Sequence, residues 1–409
     1  MARNRILAII QAGGAGSRMD VLTRERAKPA LPFAGVYQLV DFPLSNLYHS
    51  GIDDVWLSVQ YQTASLDEEV ANGRPWDLDR DRGGFRLLTP QQGTGSPDED
   101  GFAAGNADVL FRVRDQVAAA EPELLLVLSA DHVYRFDYTD AIATHRAKGA
   151  DCTIVTSEVA RAEASNHATV RSNRQGRVTD FSYKPKRPTT RTVAAEVFVY
   201  SPEALFAELD VLHHELTTST ALGDSGLGDF GEHLLPRLVE RGKVYEHPMR
   251  GYWRDLGRPE SYLAAHRDLL TQDVGLFADP AWPIMTRQPQ RSPARVHAGA
   301  RIEDSLVSPG CQVRGVVRRS VLGPGVVVDE GARISDSVVF ADAVVCAGAT
   351  VEWAIVDSGS RVERGAKLGA RNPEGLLEPD RIAIVGRDST IASGARVPAG
   401  ARLEPGTSA

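Results

Sequence analysis

Apolar residues fall along this chain in two rhythms. Over residues 1 to about 265, short apolar runs alternate with helical patterns, and the runs at 6–10, 54–59, 124–128, 152–156 and 193–200 read as strands. The stretch 138–149 reads as a helix closed by Gly149. Strands alternating with helices predict an α/β domain with a mainly parallel sheet covered on both faces. Ligands of such sheets sit at the carboxyl ends of the strands, where loops carry the chemistry. Residues 77–105 are rich in Gly, Asp, Gln and Pro and read as a mobile loop over that end.

The rhythm changes after Leu270. A proline-rich passage reads as a linker, and beyond it apolar residues recur every five or six positions. Leu322, Val339 and Val356 stand 17 residues apart, as do Val328, Val345 and Val362, and again Ile334, Val351 and Leu368. Three short rungs in 17 residues make one coil of a triangular β-helix, with one inward apolar residue per face. Gly310, Gly323, Gly325, Gly331, Gly348 and Gly359 would serve its corners. A sandwich need not hold one register across three coils. The expected divisions are 1–270, a linker at 271–295, and a β-helix at 296–409. Open solenoid ends favour a homo-oligomer, a dimer or tetramer.

Composition changes this picture little. The chain is 409 residues long and 42% hydrophobic, enough for two domains with a large core. A formal charge of −8 gives no support to a nucleic-acid or anionic-membrane partner, so any basic groups that matter should be local. Cys152, Cys311 and Cys346 have no metal-ligand spacing and read as buried small hydrophobes in a reducing compartment. No apolar run reaches membrane-spanning length, and residues 1–4 leave no room for a signal peptide before the first strand. A cytoplasmic protein is expected.

Candidate chemistry begins directly after the first strand, at Gln11-Ala12-Gly13-Gly14-Ala15-Gly16-Ser17-Arg18, with Lys28-Pro29 following. Three glycines let backbone N–H groups converge on a phosphate, and Arg18 and Lys28 add two fixed charges for a polyphosphate. The stretch lacks both a P-loop ending and dinucleotide-fold spacing. Two acidic turns stand out further on: Asp131 in Ser129-Ala130-Asp131-His132, and Asp255 in Gly251-Tyr252-Trp253-Arg254-Asp255-Leu256-Gly257. A single loop aspartate is usually a cap or a solvated charge.

Taken together, the chain resembles the glucose-1-phosphate adenylyltransferase family of sugar-1-phosphate nucleotidyltransferases over nearly its whole length. The resemblance rests on 12–18, 27–30, 40–46, 130–134, Lys184-Pro185, Phe230-Gly231 with Leu235-Pro236, and 251–257. It implies a Rossmann-like nucleotidyltransferase domain followed by a left-handed parallel β-helix. It also implies a reaction in which a sugar 1-phosphate attacks an NTP, ATP or GTP, and pyrophosphate leaves. By the same resemblance Mg²⁺ sits on Asp131 and Asp255, and the catalytic set is Arg18, Lys28, Asp131, Lys184 and Asp255. Ala12, Gly13, Gly14, Gly16, Gln60, Gly105 and Asn106 become nucleotide contacts. Tyr183, Lys184, Glu196 and Trp253 become acceptor contacts. His132 is expected to be a structural hydrogen-bonding residue.

The chain departs from the family pattern around the acceptor. Glu-Lys-Pro becomes Tyr183-Lys184-Pro185, and Ser-Met-Gly becomes Ala194-Ala195-Glu196. An aromatic-Gly pair becomes His167-Ala168, and Gly-Thr-Ala becomes Gly105-Asn106-Ala107. Glu196 could replace the lost carboxylate from the opposite wall, or the acceptor could be a C7-cyclitol such as valienol 1-phosphate. Val36 and Gln38 replace basic residues that would help hold a sugar-phosphate activator. A non-catalytic subunit would be expected to lose Asp131, Lys184 or Asp255, and an acyltransferase would need a β-helix histidine where His297 alone is available.

Overall fold

The computed structural model describes residues 5–14, 16–90, 103–217, 225–372, 374–375 and 377–409. Ala15 of the glycine turn, residues 1–4 and residues 91–102 of the expected loop lie outside the described residues. Among the described residues, the N-terminal sheet has nine strands and is mixed but mostly parallel. At its centre Ile6–Ala12 runs parallel to both Asp54–Val59 and Leu124–Ser129. Leu7 and Ile9 face one core, and Ala8 and Ile10 face the other. A strand buried on both faces has no polar side to show, which is why these runs are continuous rather than alternating. Helix Tyr138–Lys148 ends on Gly149 at φ 55°, as the sequence predicts.

Two features differ from the sequence reading. Within the expected loop, Gly84–Leu88 is an edge strand, parallel to Asp54–Val59. The long strand Thr192–Tyr200 runs antiparallel to both Leu124–Ser129 and Cys152–Glu158. It breaks register between Ala194 and Phe198.

The C-terminal part is three six-stranded parallel sheets, the triangular solenoid the repeat predicts. Leu322 pairs with Val339 and Val339 with Val356, and the other two predicted columns pair likewise. The 17-residue step then lengthens to 29: Val356 pairs with Val385 and Val362 with Ile391, because residues 370–382 stand at a corner where the preceding coil has Trp353 alone. Corner glycines such as Gly331 and Gly348 have φ of 75° and 72°, but Gly323 is not left-handed. A Cβ there would lie 2.8 Å from Ala341 N, so Gly323 serves close coil packing. Cys152, Cys311 and Cys346 are all buried. No described helix is long and apolar enough to cross a membrane.

One solenoid face carries Val321, Val338, Ile355 and Ile384 outward, and these pack on Phe33, Phe42 and Tyr262 of the sheet domain. Within this seam Arg26 forms a two-pronged pair with Asp357 at 3.2 and 2.9 Å, both side chains buried. The passage between the two parts is not a free tether. Trp282 Nε1 donates to Asn46 Oδ1 and Met285 N to Ser45 Oγ, so it lies along helix Asp41–His49.

Removing one partner of a buried pair strands the other charge, so Arg26→Ala should destabilise the chain by about 3–5 kcal/mol. A lowered urea midpoint checks this, and Arg26→Met combined with Asp357→Leu should recover most of the loss. A second expectation concerns Asp41, where burial pushes the carboxyl up to about 8, although Gln38 N donates to it at 2.8 Å. The folded chain then keeps a proton that the unfolded chain releases near pH 4, so this group's contribution is full below about pH 4 and falls as pH rises towards 8. Asp41→Asn should flatten that decline in stability measured across pH 4 to 8.

Candidate active site

The carboxyl ends of the parallel strands open into a cleft of about 380 Å³. At one end lies the glycine turn. Among the described residues, Gly14 has no neighbour within 4 Å of where a Cβ would stand, which leaves its backbone open to a ligand. Gly13 is covered by Gln60, whose Nε2 would lie 2.8 Å from an added Cβ. Gln60 is fixed in turn, because its Oε1 accepts from Ala103 N at 2.7 Å. Ala12, Gly13, Gly14, Gln60, Gly105 and Asn106 all line the cleft, as does Arg18; Gly16 does not, and turns the chain at φ 67° with its carbonyl bonded by Thr23 Oγ1.

Gly105 is extended, yet a Cβ on it would come within 2.3 Å of Gly228. That close approach lets Asn106 open helix Asn106–Ala120 while its Oδ1 accepts from Phe230 N at 2.6 Å. Asn106 therefore ties two walls together, which its place in the sequence did not reveal.

The floor is built from charge. Strand Leu124–Ser129 delivers Asp131, and a two-stranded antiparallel ribbon sets Asp255 opposite His132. Lys28 is buried, pairs with Asp131, and stands 3.9 Å from Asp255 Oδ1. Burial alone would lower the Lys28 ammonium, but Asp131 and Asp255 outweigh it and hold it above its ordinary value. Burial likewise works to raise Asp131. The charges of Lys28 and His132, with hydrogen bonds from Lys28 and Ser129, leave it below the usual carboxylate range.

His132 has two faces. Its Nδ1 meets Ala195 O at 3.1 Å, the structural bond expected of it. Its Nε2 looks onto Asp131, Asp255 and Glu196 at 3.5, 3.7 and 3.9 Å. His167 also faces this cluster, with Nδ1 3.9 Å from Asp255 Oδ2. Asp255 does not line the cleft directly; its Oδ1 is buried and accepts no hydrogen bond among the described residues. Asp131, His132 and Glu196 also offer ligand atoms within 4.8 Å of one another.

At the far end stand Tyr183, Lys184 and Glu196. Tyr183 donates to Asp229 Oδ2 at 2.8 Å and accepts from Lys184 Nζ at 2.7 Å. Its ring lies flush on Gly231, where a Cβ would fall 2.0 Å from Cδ2. Asp229 was missed from sequence, although it immediately precedes the Phe230-Gly231 pair. Glu196 occupies the register break with φ 54°, an uncommon conformation for a residue with a side chain, and this bulge turns its carboxylate towards His132. Trp253 is buried and does not line the cleft, and the rings of His132 and His167 make edge contacts with it at 5.1 and 5.4 Å, a place that supports the floor.

Comparison with known proteins accords with this geometry. The chain matches the family described as nucleotidyl transferase over residues 7–272, and the GlmU-like, C-terminal hexapeptide family over residues 292–375. It is 35% identical over 360 residues to a glucose-1-phosphate adenylyltransferase of Desulforamulus reducens, covering 87% of each chain. It is 34% identical to one from Bacillus cereus, covering 87% of this chain and 92% of the relative. With one from Clostridium perfringens it shares 36% over 343 residues, 83% of this chain and 85% of the relative. A nucleotidyltransferase sheet domain, a hexapeptide β-helix and relatives matched across both place this chain in the glucose-1-phosphate adenylyltransferase family.

Proposed function

We propose that this protein transfers a nucleotidyl group from an NTP, with ATP first in line, to glucose 1-phosphate or a glucose-like 1-phosphate, in the cytoplasm. One observation carries the reading: Asp131 and buried Lys28 line a cleft shared with the glycine turn and Lys184, and Asp255 stands directly behind them, 3.9 Å from Lys28 Nζ. A sugar-phosphate oxygen attacks the α-phosphorus, a new P–O bond forms, the bond to the β-phosphate oxygen breaks, and pyrophosphate leaves. The attacking phosphate is already ionised, so the chain needs no side-chain nucleophile or general base. Its work is alignment and neutralisation.

In this reading Arg18 and Lys28 take the triphosphate, and Gly13 and Gly14 lend backbone N–H groups. Gln60 meets the base, and Lys184 takes the acceptor phosphate, leaving its resting bond to Tyr183. The carboxylates of Asp131 and Asp255 would hold Mg²⁺, and the fit is supported by the buried Asp255 Oδ1 that accepts no hydrogen bond among the described residues. When bound, the ion supplies Lewis-acid neutralisation of phosphate charge. Glu196 accepts from acceptor hydroxyls in place of the carboxylate lost at Tyr183. We place the domain divisions near 270 and 296, and the solenoid favours assembly as a dimer or tetramer.

Pyrophosphate release tests the reading directly. With Mg²⁺, ATP and glucose 1-phosphate should turn over, and Asp131→Asn should lower kcat by about 10²–10³-fold. Turnover with valienol 1-phosphate but not glucose 1-phosphate would move the acceptor to a cyclitol. No release with any NTP and either acceptor, from folded protein, would sink nucleotidyl transfer. Lys184→Ala should raise KM for the acceptor at least about tenfold, with a smaller change for the NTP.

Glu196 allows a separate check. Glycine relieves the left-handed backbone and alanine does not, so Glu196→Gly should melt above Glu196→Ala, the gap being about 1 kcal/mol. Both should lose acceptor affinity equally, because both lack the carboxylate.

A further inference from the structure

The stretch between Arg18 and Lys28 is gripped from outside its own domain. Arg402, in the last coil of the β-helix, donates from Nε to Asp20 Oδ2 at 2.9 Å. Arg24 makes a forked pair with Glu404 at 3.0 and 3.1 Å, and Arg26 pairs with Asp357 as described above. Anchors therefore fall at 20, 24 and 26, on the short path joining the two cations assigned to the triphosphate.

These anchors are not equivalent. Arg24 and Glu404 are both half-exposed, and such pairs fix little. Arg26–Asp357 is buried in the seam and serves the fold. Asp20–Arg402 is different, because Arg402 is immobilised on its own account. Its Nη1 bonds Ile382 O at 2.6 Å and Gly400 O at 3.0 Å, and its Nη2 bonds Pro379 O at 2.9 Å. A guanidinium held on so many sides presents Nε at one fixed point.

Asp20 meets that point only by adopting φ 58° and ψ −132°, a region that residues with a Cβ rarely enter. Such a conformation persists where the surroundings over-determine it. The next link is local: Thr23 Oγ1 donates both to Asp20 O, at 3.2 Å, and to Gly16 O, at 2.9 Å. Arg402 thus reaches the glycine turn through Asp20 and Thr23, and Arg18 lies between the two ends of this link.

We infer that Asp20 and Arg402 are positioning residues for the triphosphate, so that the last coil of the β-helix fixes the glycine turn and Arg18 of the sheet domain. The inference rests on the nucleotidyl-transfer reading for the identity of the ligand. It predicts an effect confined to the NTP, since nothing in the link touches Tyr183, Lys184 or Glu196.

The test uses the full chain with Asp20→Asn and, separately, Arg402→Lys. Each is assayed for KM of both substrates, for calorimetric binding of ATP with Mg²⁺ in the absence of acceptor, and for melting temperature. The expected result is a rise of about tenfold in both KM and dissociation constant for ATP, with acceptor KM changed less than about twofold. Asp20→Asn keeps every carbonyl bond of Arg402, so it reports even where Arg402→Lys does not fold. Unchanged ATP affinity in Asp20→Asn overturns the inference, and so does a parallel rise in both KM values, which would mark general loosening. Wild-type protein that binds ATP but turns over neither acceptor would count against the nucleotidyl-transfer reading alone, because the calorimetric comparison still decides the role of Asp20.

Discussion

The cleft is organised around a repulsion. Asp131, Asp255 and Glu196 all present carboxylate oxygens within 4 Å of His132 Nε2. Asp131 and Glu196 offer oxygens within 4.8 Å of one another, and two like charges at that separation cost about 3.5 kcal/mol at the effective dielectric of a protein surface. Buried Lys28 answers this by lying against Asp131 and near Asp255. An ammonium there is a resting counter-charge for a floor whose proposed ligands are a divalent cation and a triphosphate. Moving Lys28 would leave carboxylates unpaired in a desolvated site, so the path of the chain from Gly16 to Lys28 is narrowly constrained.

That constraint gives the β-helix a reason to be where it is. Three short strands per coil cannot cover a sheet domain from both sides, but one flat face can seal it. Val321, Val338, Ile355 and Ile384 form that face, and Arg26–Asp357 sits within the same seam. The hydrophobic contact supplies the attraction, and the charged pairs fix the register between the parts, because an apolar face alone tolerates sliding. The segment fixed in this way is the one that carries Arg18 and Lys28, the cations proposed to meet the triphosphate.

Much of this was legible in the sequence, for identifiable reasons. Strands buried on both faces show as unbroken apolar runs, and the inward columns of the solenoid show as a 17-residue period, since both are local consequences of burial. The glycine turn and the two acidic turns were visible because each is contiguous. What stayed hidden depends on partners far along the chain. The edge strand Gly84–Leu88 is defined by its pairing with Asp54–Val59, and Asp229 matters because Tyr183 reaches it. The insertion at 370–382 breaks a period that has no local reason to fail there. That Trp253 is packed by His132 and His167 was hidden for the same reason, since both lie far along the chain from it.

The same division explains how the acceptor end can depart from the family pattern while the floor keeps it. The floor stands on the parallel strands Ile6–Ala12 and Leu124–Ser129 and on the ribbon that pairs Asp255 with His132. The proposed acceptor wall stands on the antiparallel strands Val178–Ser182 and Thr192–Tyr200. Tyr183 spends its hydroxyl on Asp229 and Lys184, and Glu196 is the carboxylate proposed to serve the acceptor instead. That exchange costs a left-handed backbone at Glu196, absorbed by a bulge in a strand that already breaks register. Ala195 O, one residue away, meets His132 Nδ1, and Glu196 itself lies 3.9 Å from His132 Nε2, so the bulge meets the floor through this imidazole. Because the proposed acceptor wall stands on other elements than Asp131 and Asp255, it can change without moving those carboxylates, and we place this chain's room to differ from its relatives there.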